Sequence, residues 1–343
     1  MTAAARAAMT GALASWANPS SPHREGRDAR NALERARSAI AAAYGWAGDT
    51  ILTSGASEAL AIALGRAVVD RRIVTAVEHD AVLRAAPAAI VLDVDGDGLV
   101  DLDTLQTSLA GARAIVAVQW ANSESGVRQR VAAAAAIVHA MGHLFLVDAA
   151  QMPAGIDDDV MTHADFVAVS AHKRGGGPGV GALLVRDPAT LHPSGGQERG
   201  YRPGTENVPG ALAFAAALDE PENIERLAGF RARLDDAIAR SGGEVVAARQ
   251  QRHPAIGAYR LPGVAATTQL IRLDLAGFAV SAGSACSSGS MKPSHVLAAM
   301  GWPADAAREV IRVSFGRTTT AADVDAFIAA WRSIARDTRT FAA

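Results

Sequence analysis

The sequence is short of lysine, of cysteine and of long apolar runs. Its 343 residues include two lysines and a single cysteine, Cys286. One cysteine excludes an internal disulfide framework and suits a reducing, cytoplasmic setting. No apolar stretch approaches the ~20 residues that a membrane-spanning helix needs. The alanine-rich start, Met1 to Met9, is too weakly apolar for a signal core and reads as a helix. An excess of one charge is missing too: 33 basic residues face 35 acidic ones, and the formal net charge is -2. That balance argues against nucleic acid or an anionic membrane as the main partner. The rest is ordinary for a globular protein, 50% apolar and 20% charged. The length fits one large domain with a smaller one attached.

From about residue 50 to 190, short β-rich runs alternate with alanine-rich helical stretches. The expected strands are Thr50–Thr53, Ile73–Val77, Ala89–Val94, Ala114–Val118, Leu144–Val147, Asp165–Ser170 and Val180–Val185. Most lack the polar alternation of a half-exposed strand, which suits a parallel sheet covered on both faces. Between them Ser57–Val69, His79–Ala88, Leu102–Leu109 and Val131–Met141 read as helices. The pattern predicts an α/β fold with right-handed crossovers. A Gly-, Pro- and Arg-rich connection, about Leu191 to Gly210, precedes a long amphipathic helix over Pro221–Ser241. A smaller α+β domain follows, with strand-like runs at Ala258–Leu261, Thr268–Leu273 and Val310–Ser314 and a terminal helix over Ala321–Arg336. The expected division is a large domain over residues 1–228 and a small one over 229–343.

Arginine does nearly all the cationic work, so a retained lysine points to a need for an amine that can deprotonate. Lys173 stands where the run Val167-Ala-Val-Ser-Ala-His-Lys breaks into Arg174-Gly-Gly-Gly-Pro-Gly. That is the carboxyl end of a predicted strand, where open α/β sheets place ligands. Lysine forms Schiff bases; arginine does not. On its own, a loop lysine is more often merely solvated.

Other strand ends carry polar groups as well. Leu144-Phe-Leu-Val-Asp148-Ala-Ala-Gln151 ends an apolar strand in a carboxylate, with an amide three positions later. A buried carboxylate that stays ionised needs a cation, and a protonated pyridine nitrogen would serve, with Gln151 bonding the ring hydroxyl. Alone, Asp148 is more often a helix cap. Gly55-Ala56-Ser57-Glu58 opens a helix whose free N–H groups suit a phosphate, although an ordinary helix start fits equally. His79 lies just past a strand, where it could stack on an aromatic ring. Asn122-Ser123-Glu-Ser-Gly crowds polar groups at another strand end. Arg312, on a predicted strand, has a guanidinium fork suited to a carboxylate, or to a structural ion pair. Cys286 lies in Ser281-Ala-Gly-Ser-Ala-Cys-Ser-Ser-Gly-Ser, a polar setting for an accessible thiol nucleophile or for a tolerated surface cysteine.

In order along the chain these motifs are Gly55-Ala-Ser-Glu58, Glu78-His79, Asp148-Ala-Ala-Gln151, Ser170-Ala-His172-Lys173, Gly195-Gly-Gln-Glu-Arg-Gly, Arg202-Pro-Gly-Thr205 and Gly283-Ser-Ala-Cys286. Together they resemble the class V branch of the fold-type I pyridoxal-phosphate enzymes, and within it the NifS/IscS-type cysteine desulfurases. The resemblance runs from Asn18 to about Arg317. It implies a large domain with a mainly parallel seven-stranded sheet, a smaller C-terminal α+β domain and pyridoxal 5'-phosphate as cofactor. It implies Lys173 as the Schiff-base lysine and later the proton carrier. Asp148 would pair with the ring nitrogen, Gln151 would bond the ring oxygen, and His79 would stack. Ala56, Ser57, Ser170 and His172 would hold the phosphate, with Thr205 reaching the phosphate of a neighbouring subunit in a homodimer. Arg312, Asn122 and Ser123 would contact the substrate, L-cysteine. Cys286 would take its sulfur as a persulfide and release alanine, supplying a sulfur acceptor or cluster scaffold.

Three departures accompany the resemblance. The family's N-terminal strand with its Ala-Thr-Thr-Pro-like turn has no counterpart in this sequence. Ser123 stands where the family's Asn-Asn-Glu-x-Gly has its second Asn, and a hydroxyl reaches less far than an amide. The sequence also ends soon after its last expected helix, without the extension that helps some members dock a scaffold. The same residues are compatible with another class V reaction, such as transamination or selenocysteine lysis, or with a low-activity companion that binds cofactor.

Overall fold

The computed structural model describes residues 1–155, 157–283 and 293–342. Seven strands make the main sheet: β1 Asp49–Thr53, β2 Arg71–Thr75, β3 Ile90–Leu92, β4 Ala114–Gln119, β5 Leu144–Asp148, β6 Phe166–Ser170 and β7 Gly181–Val185. Their order is β1-β7-β6-β5-β4-β2-β3. Strands β2 to β6 pair in parallel, whereas β7 runs antiparallel to both β6 and β1. The expected mainly parallel seven-stranded sheet is therefore present.

The sheet's sequence signature has a simple cause. In β5, Phe145 and Val147 enter the core on one face while Leu144 and Leu146 enter the core on the other. Alternate side chains point oppositely, but helices cover both faces, so Leu144 to Val147 are all apolar and all buried. Strand β3 is apolar without being covered. It forms the edge, and Ile90 and Val91 are exposed.

Parallel pairing brings the carboxyl ends of β2, β4, β5 and β6 to one rim. Gln119 at the end of β4 lies opposite Asp148, and Asp148 lies opposite Ala168. Close approach shapes the neighbouring corner. A Cβ on Gly181 would lie 2.5 Å from the Val169 carbonyl oxygen and 2.7 Å from Gly55 Cα, so β7 can pass the Gly55 turn only without a side chain.

A second, antiparallel sheet follows: β8 Glu244–Val245, β9 Ile256–Arg260, β10 Ser281–Ala282 and β11 Val310–Ser314, in the order β10-β11-β9-β8. The helices Ile224–Arg240 and Ala321–Ala342 flank it, and Leu234, Ile238, Tyr259, Ile311 and Trp331 share its core.

Two readings need correction. Thr268–Leu273, read as a strand from its β-branched and apolar residues, lies within the helix Ala266–Leu275. Its buried residues, Ala266, Gln269 and Leu273, follow helical spacing, and Ile271 and Leu275 point outward. The connection Leu191–Gly210 is shorter than expected, because a helix starts at Val208 with Asn207 as its cap. Among the described residues no helix is long and apolar enough to cross a membrane, and no His, Cys, Asp and Glu cluster could hold a metal ion.

Candidate active site

Two cavities of about 470 and 430 Å³ meet at the rim of the main sheet. Both are lined by His79, Ser123, Gln151, His172 and Lys173. Strand β6 delivers Lys173 by stopping at Ser170 and folding into the one-turn 3-10 helix His172–Arg174. The glycines beyond Arg174 allow neither strand nor helix to continue.

The larger cavity holds the groups suited to a flat ring with an anionic arm. The helix Ala56–Arg66 begins at its wall, with Gly55 as a cap that has no side chain to satisfy the first N–H groups. Such an end favours an anion. Ser57, Ser170 and His172 lie nearby on the lining, and the Ser170 hydroxyl and His172 Nδ1 are 2.9 Å apart. Burial, then the positive charges of Lys173 and Arg174, lowers the pKa of His172. Glu58 steadies the turn by accepting from the Ser54 N–H at 2.5 Å and pairing with Arg202 at 2.9 Å.

Asp148 closes β5 with 7% of its surface exposed, and Ala150 N–H donates to its Oδ1 at 2.9 Å. No helix starts there, so the carboxylate caps a turn and faces the cavity with Gln151. His79 caps the helix Asp80–Ala85, with Nδ1 accepting from Ala81 N–H at 3.1 Å. Burial outweighs the nearby Asp148 carboxylate and lowers its pKa, which favours the neutral ring.

The smaller cavity carries Arg312, which projects from β11. Its Nη1 donates to the Ser123 carbonyl and its Nη2 to the Ser281 hydroxyl, each at 3.1 Å. Ser123 thus meets Arg312 through its main chain. Asn122 lines neither cavity. Its amide donates to the Val77 carbonyl, and its Oδ1 accepts from Glu124 N–H, Ser125 N–H and the Ser125 hydroxyl, so the side chain organises its own loop. Thr205 is exposed and lines neither cavity. Cys286 lies outside the described residues.

Several residues were given no role from sequence, Glu78 among them although it stands in the Glu78-His79 motif. Glu78 is fully buried beneath the site, where burial and then the Asp148 charge push its pKa up to about 8. It accepts from the Thr75 hydroxyl at 2.8 Å and from Gln119 N–H at 2.9 Å. His253 enters the smaller cavity from a loop far along the chain, with Nδ1 accepting from Ala255 N–H at 2.9 Å. Arg174 and Glu222 line the same cavity. Glu78 adjoins His79, a cue available in sequence; His253 and Glu222 had no local signal.

The aminotransferase class-V family model matches residues 6–327. A cysteine desulfurase of Bradyrhizobium diazoefficiens is 36% identical over 92% of this chain and 86% of its own length. A putative cysteine desulfurase IscS 1 of Bacillus subtilis is 37% identical over 90% of this chain and 89% of its own. The solved structure of a NifS-like protein from Rickettsia africae superposes with a TM-score of 0.88 at 29% identity, covering 97% of this chain and 96% of that one. The chain belongs to the class V aminotransferase family and, within it, is similar to the NifS- and IscS-type cysteine desulfurases.

Proposed function

We propose that this protein is a pyridoxal-phosphate-dependent cysteine desulfurase that converts L-cysteine to L-alanine and leaves the sulfur on Cys286 as a persulfide. One observation carries the reading: Lys173 and Asp148 face one cavity, and that cavity joins a second one holding Arg312. In the second sheet Ser281, five residues before Cys286 in sequence, pairs with Arg312.

The donor set fits the cofactor. A lysine amine, a buried carboxylate and an uncapped helix start match an aldehyde, a ring nitrogen and a phosphate respectively. Asp148 would hold the ring nitrogen, Gln151 the ring oxygen, and Ala56, Ser57, Ser170 and His172 the phosphate. When bound, pyridoxal phosphate supplies an electron sink for the substrate α-carbon.

The chain's own residues do the rest. Arg312 grips the substrate carboxylate, and its contacts to Ser123 and Ser281 orient the fork. Neutral His79 can lie against the ring without adding positive charge to it. Lys173, at the junction of the cavities, moves the proton at the α-carbon. The Cys286 thiolate attacks the substrate sulfur. An S–S bond forms as the S–Cβ bond breaks, the electron pair leaves with carbon, and protonation gives alanine.

The assembly is a homodimer in which Thr205 of each chain reaches the partner's phosphate site. Residues 1–228 hold the cofactor and 229–343 carry the cysteine loop. The persulfide sulfur passes to an acceptor or cluster-scaffold protein in the cytoplasm. The test compares wild type, Lys173→Ala and Cys286→Ala with L-cysteine and a reductant. Wild type shows the cofactor's visible band and releases sulfide and alanine in equal amounts. Cys286→Ala keeps the band and loses sulfide; Lys173→Ala loses the lysine-linked band. Sulfide release that survives Cys286→Ala excludes this reading.

A further inference from the structure

The turn that carries Lys173 is clamped from outside the main sheet. Arg174, the next residue, is 4% exposed, and its Nη1 donates to Glu222 Oε1 at 2.8 Å. The same oxygen accepts from Arg317 Nη2 at 3.3 Å. Arg317 also donates to the Arg174 carbonyl at 2.8 Å and to the Glu220 carbonyl at 2.6 Å. Gly175 closes the turn at φ +86°, and a Cβ there would lie 3.1 Å from Arg317 Nε. Its carbonyl accepts from the Thr2 N–H at 2.8 Å. Arg317 follows β11, the strand on which Arg312 stands.

A core rarely needs such a pair, because apolar residues of similar volume usually stabilise at least as well. Nor is the cluster saturated: Arg174 Nε and the Tyr44 hydroxyl are buried without a hydrogen-bond partner. Both guanidinium groups converge on one carboxylate from separate parts of the chain, one beside the lysine and one beside the carboxylate grip.

We propose that Glu222 is a positioning residue: by holding Arg174 and Arg317 together, it ties the turn carrying Lys173 to the strand carrying Arg312. The lysine amine and the seat for the substrate carboxylate are then placed as one unit. What the lysine does rests on the desulfurase reading; the tie itself exists without cofactor.

The test uses three variants of the full chain. Glu222→Gln leaves Arg174 buried and unpaired, and its Tm falls. Arg174→Met combined with Glu222→Met removes both charges, and Tm returns close to wild type. In that double variant, kcat for sulfide release stays lowered about tenfold or more while the cofactor band persists, because the lysine is misplaced rather than absent. Amide exchange over residues 171–176, measured without cofactor, is faster than in wild type. Arg317→Gln, at a side chain 24% exposed, gives the same faster exchange and lowered kcat, and it carries the test if the double variant fails to fold. If kcat recovers together with Tm, the pair is only structural and the proposal falls. If exchange over the turn matches wild type in the folded variants, the tie does not exist. A wild type without cofactor band or sulfide release overturns the desulfurase reading instead, and the exchange measurement still decides the tie.

Discussion

Two buried titratable groups at the site have opposite pH signatures. Glu78 has its pKa raised from 4.5 to about 8 by burial and then by Asp148. Between those values the folded state keeps a proton that the unfolded chain has lost, so this contribution to stability fades as pH rises from about 4.5 through 8. Glu78→Gln removes the dependence. Thermal melts of the cofactor-free protein at pH 5 and pH 9 should show the variant gaining on wild type at the higher pH; a constant difference in Tm refutes the assignment. For His253, burial, followed by the Arg174 charge, lowers the pKa from 6.5 to about 3. Its contribution is present above the unfolded pKa and is lost as pH falls through that window. Against His253→Gln, wild type should therefore lose ground between pH 7 and pH 4, read from the same melts. Glu78 adjoins the His79 motif, but nothing local marks its protonation, and His253 has no local signal at all. Burial decides both pKa values, and burial is a property of what packs around them.

At the scale of elements, the meeting of β7 with the Gly55 turn is the tightest constraint on the cofactor half of the site. Gly181→Ala would force the new Cβ against the Val169 carbonyl and Gly55 Cα. We expect a cost of about 1–3 kcal/mol in urea unfolding, together with weaker cofactor binding, because the displaced turn carries the helix start. Unchanged binding with lowered stability would separate the turn from the phosphate seat. Strands β4 to β7 were legible because runs buried on both faces leave nothing but apolar residues. The helix Ala266–Leu275 was not. Its threonines and branched apolar residues favour strand, and only packing against the second sheet selects the Ala266, Gln269 and Leu273 face. Asn122 shows a related limit: a polar side chain at a strand end can serve a ligand or its own loop, and its hydrogen bonds here run to Val77, Glu124 and Ser125.

At the scale of the whole molecule, the exposed Thr205 supports complementation between chains as a test of the proposed dimer. Thr205→Ala alone should lower cofactor occupancy at limiting cofactor, and Lys173→Ala should be inactive. Mixing and re-equilibrating the two should restore sulfide release at about a quarter of the sites, since each mixed dimer holds one intact site. No recovery after verified exchange of subunits would remove Thr205 from the partner's site.

The sequence by itself determined the succession of strands in the main sheet, its doubly covered faces and the identity of Lys173, Asp148, Gln151 and the Gly55–Ser57 turn as its polar strand ends. Those follow from local pattern: apolar runs demand burial, glycine breaks them, and the residues left at each break gather on one rim of a parallel sheet. Only the tertiary structure decided that Asn122 turns inward, that Glu78 and His253 are stripped of water, and that Arg174, Glu222 and Arg317 meet. Glu222 and Arg317 are distant in sequence from Lys173, and no periodicity records a contact between them. Lys173 stands at a strand end whose next residue, Arg174, shares the Glu222 carboxylate with Arg317 beyond the second sheet.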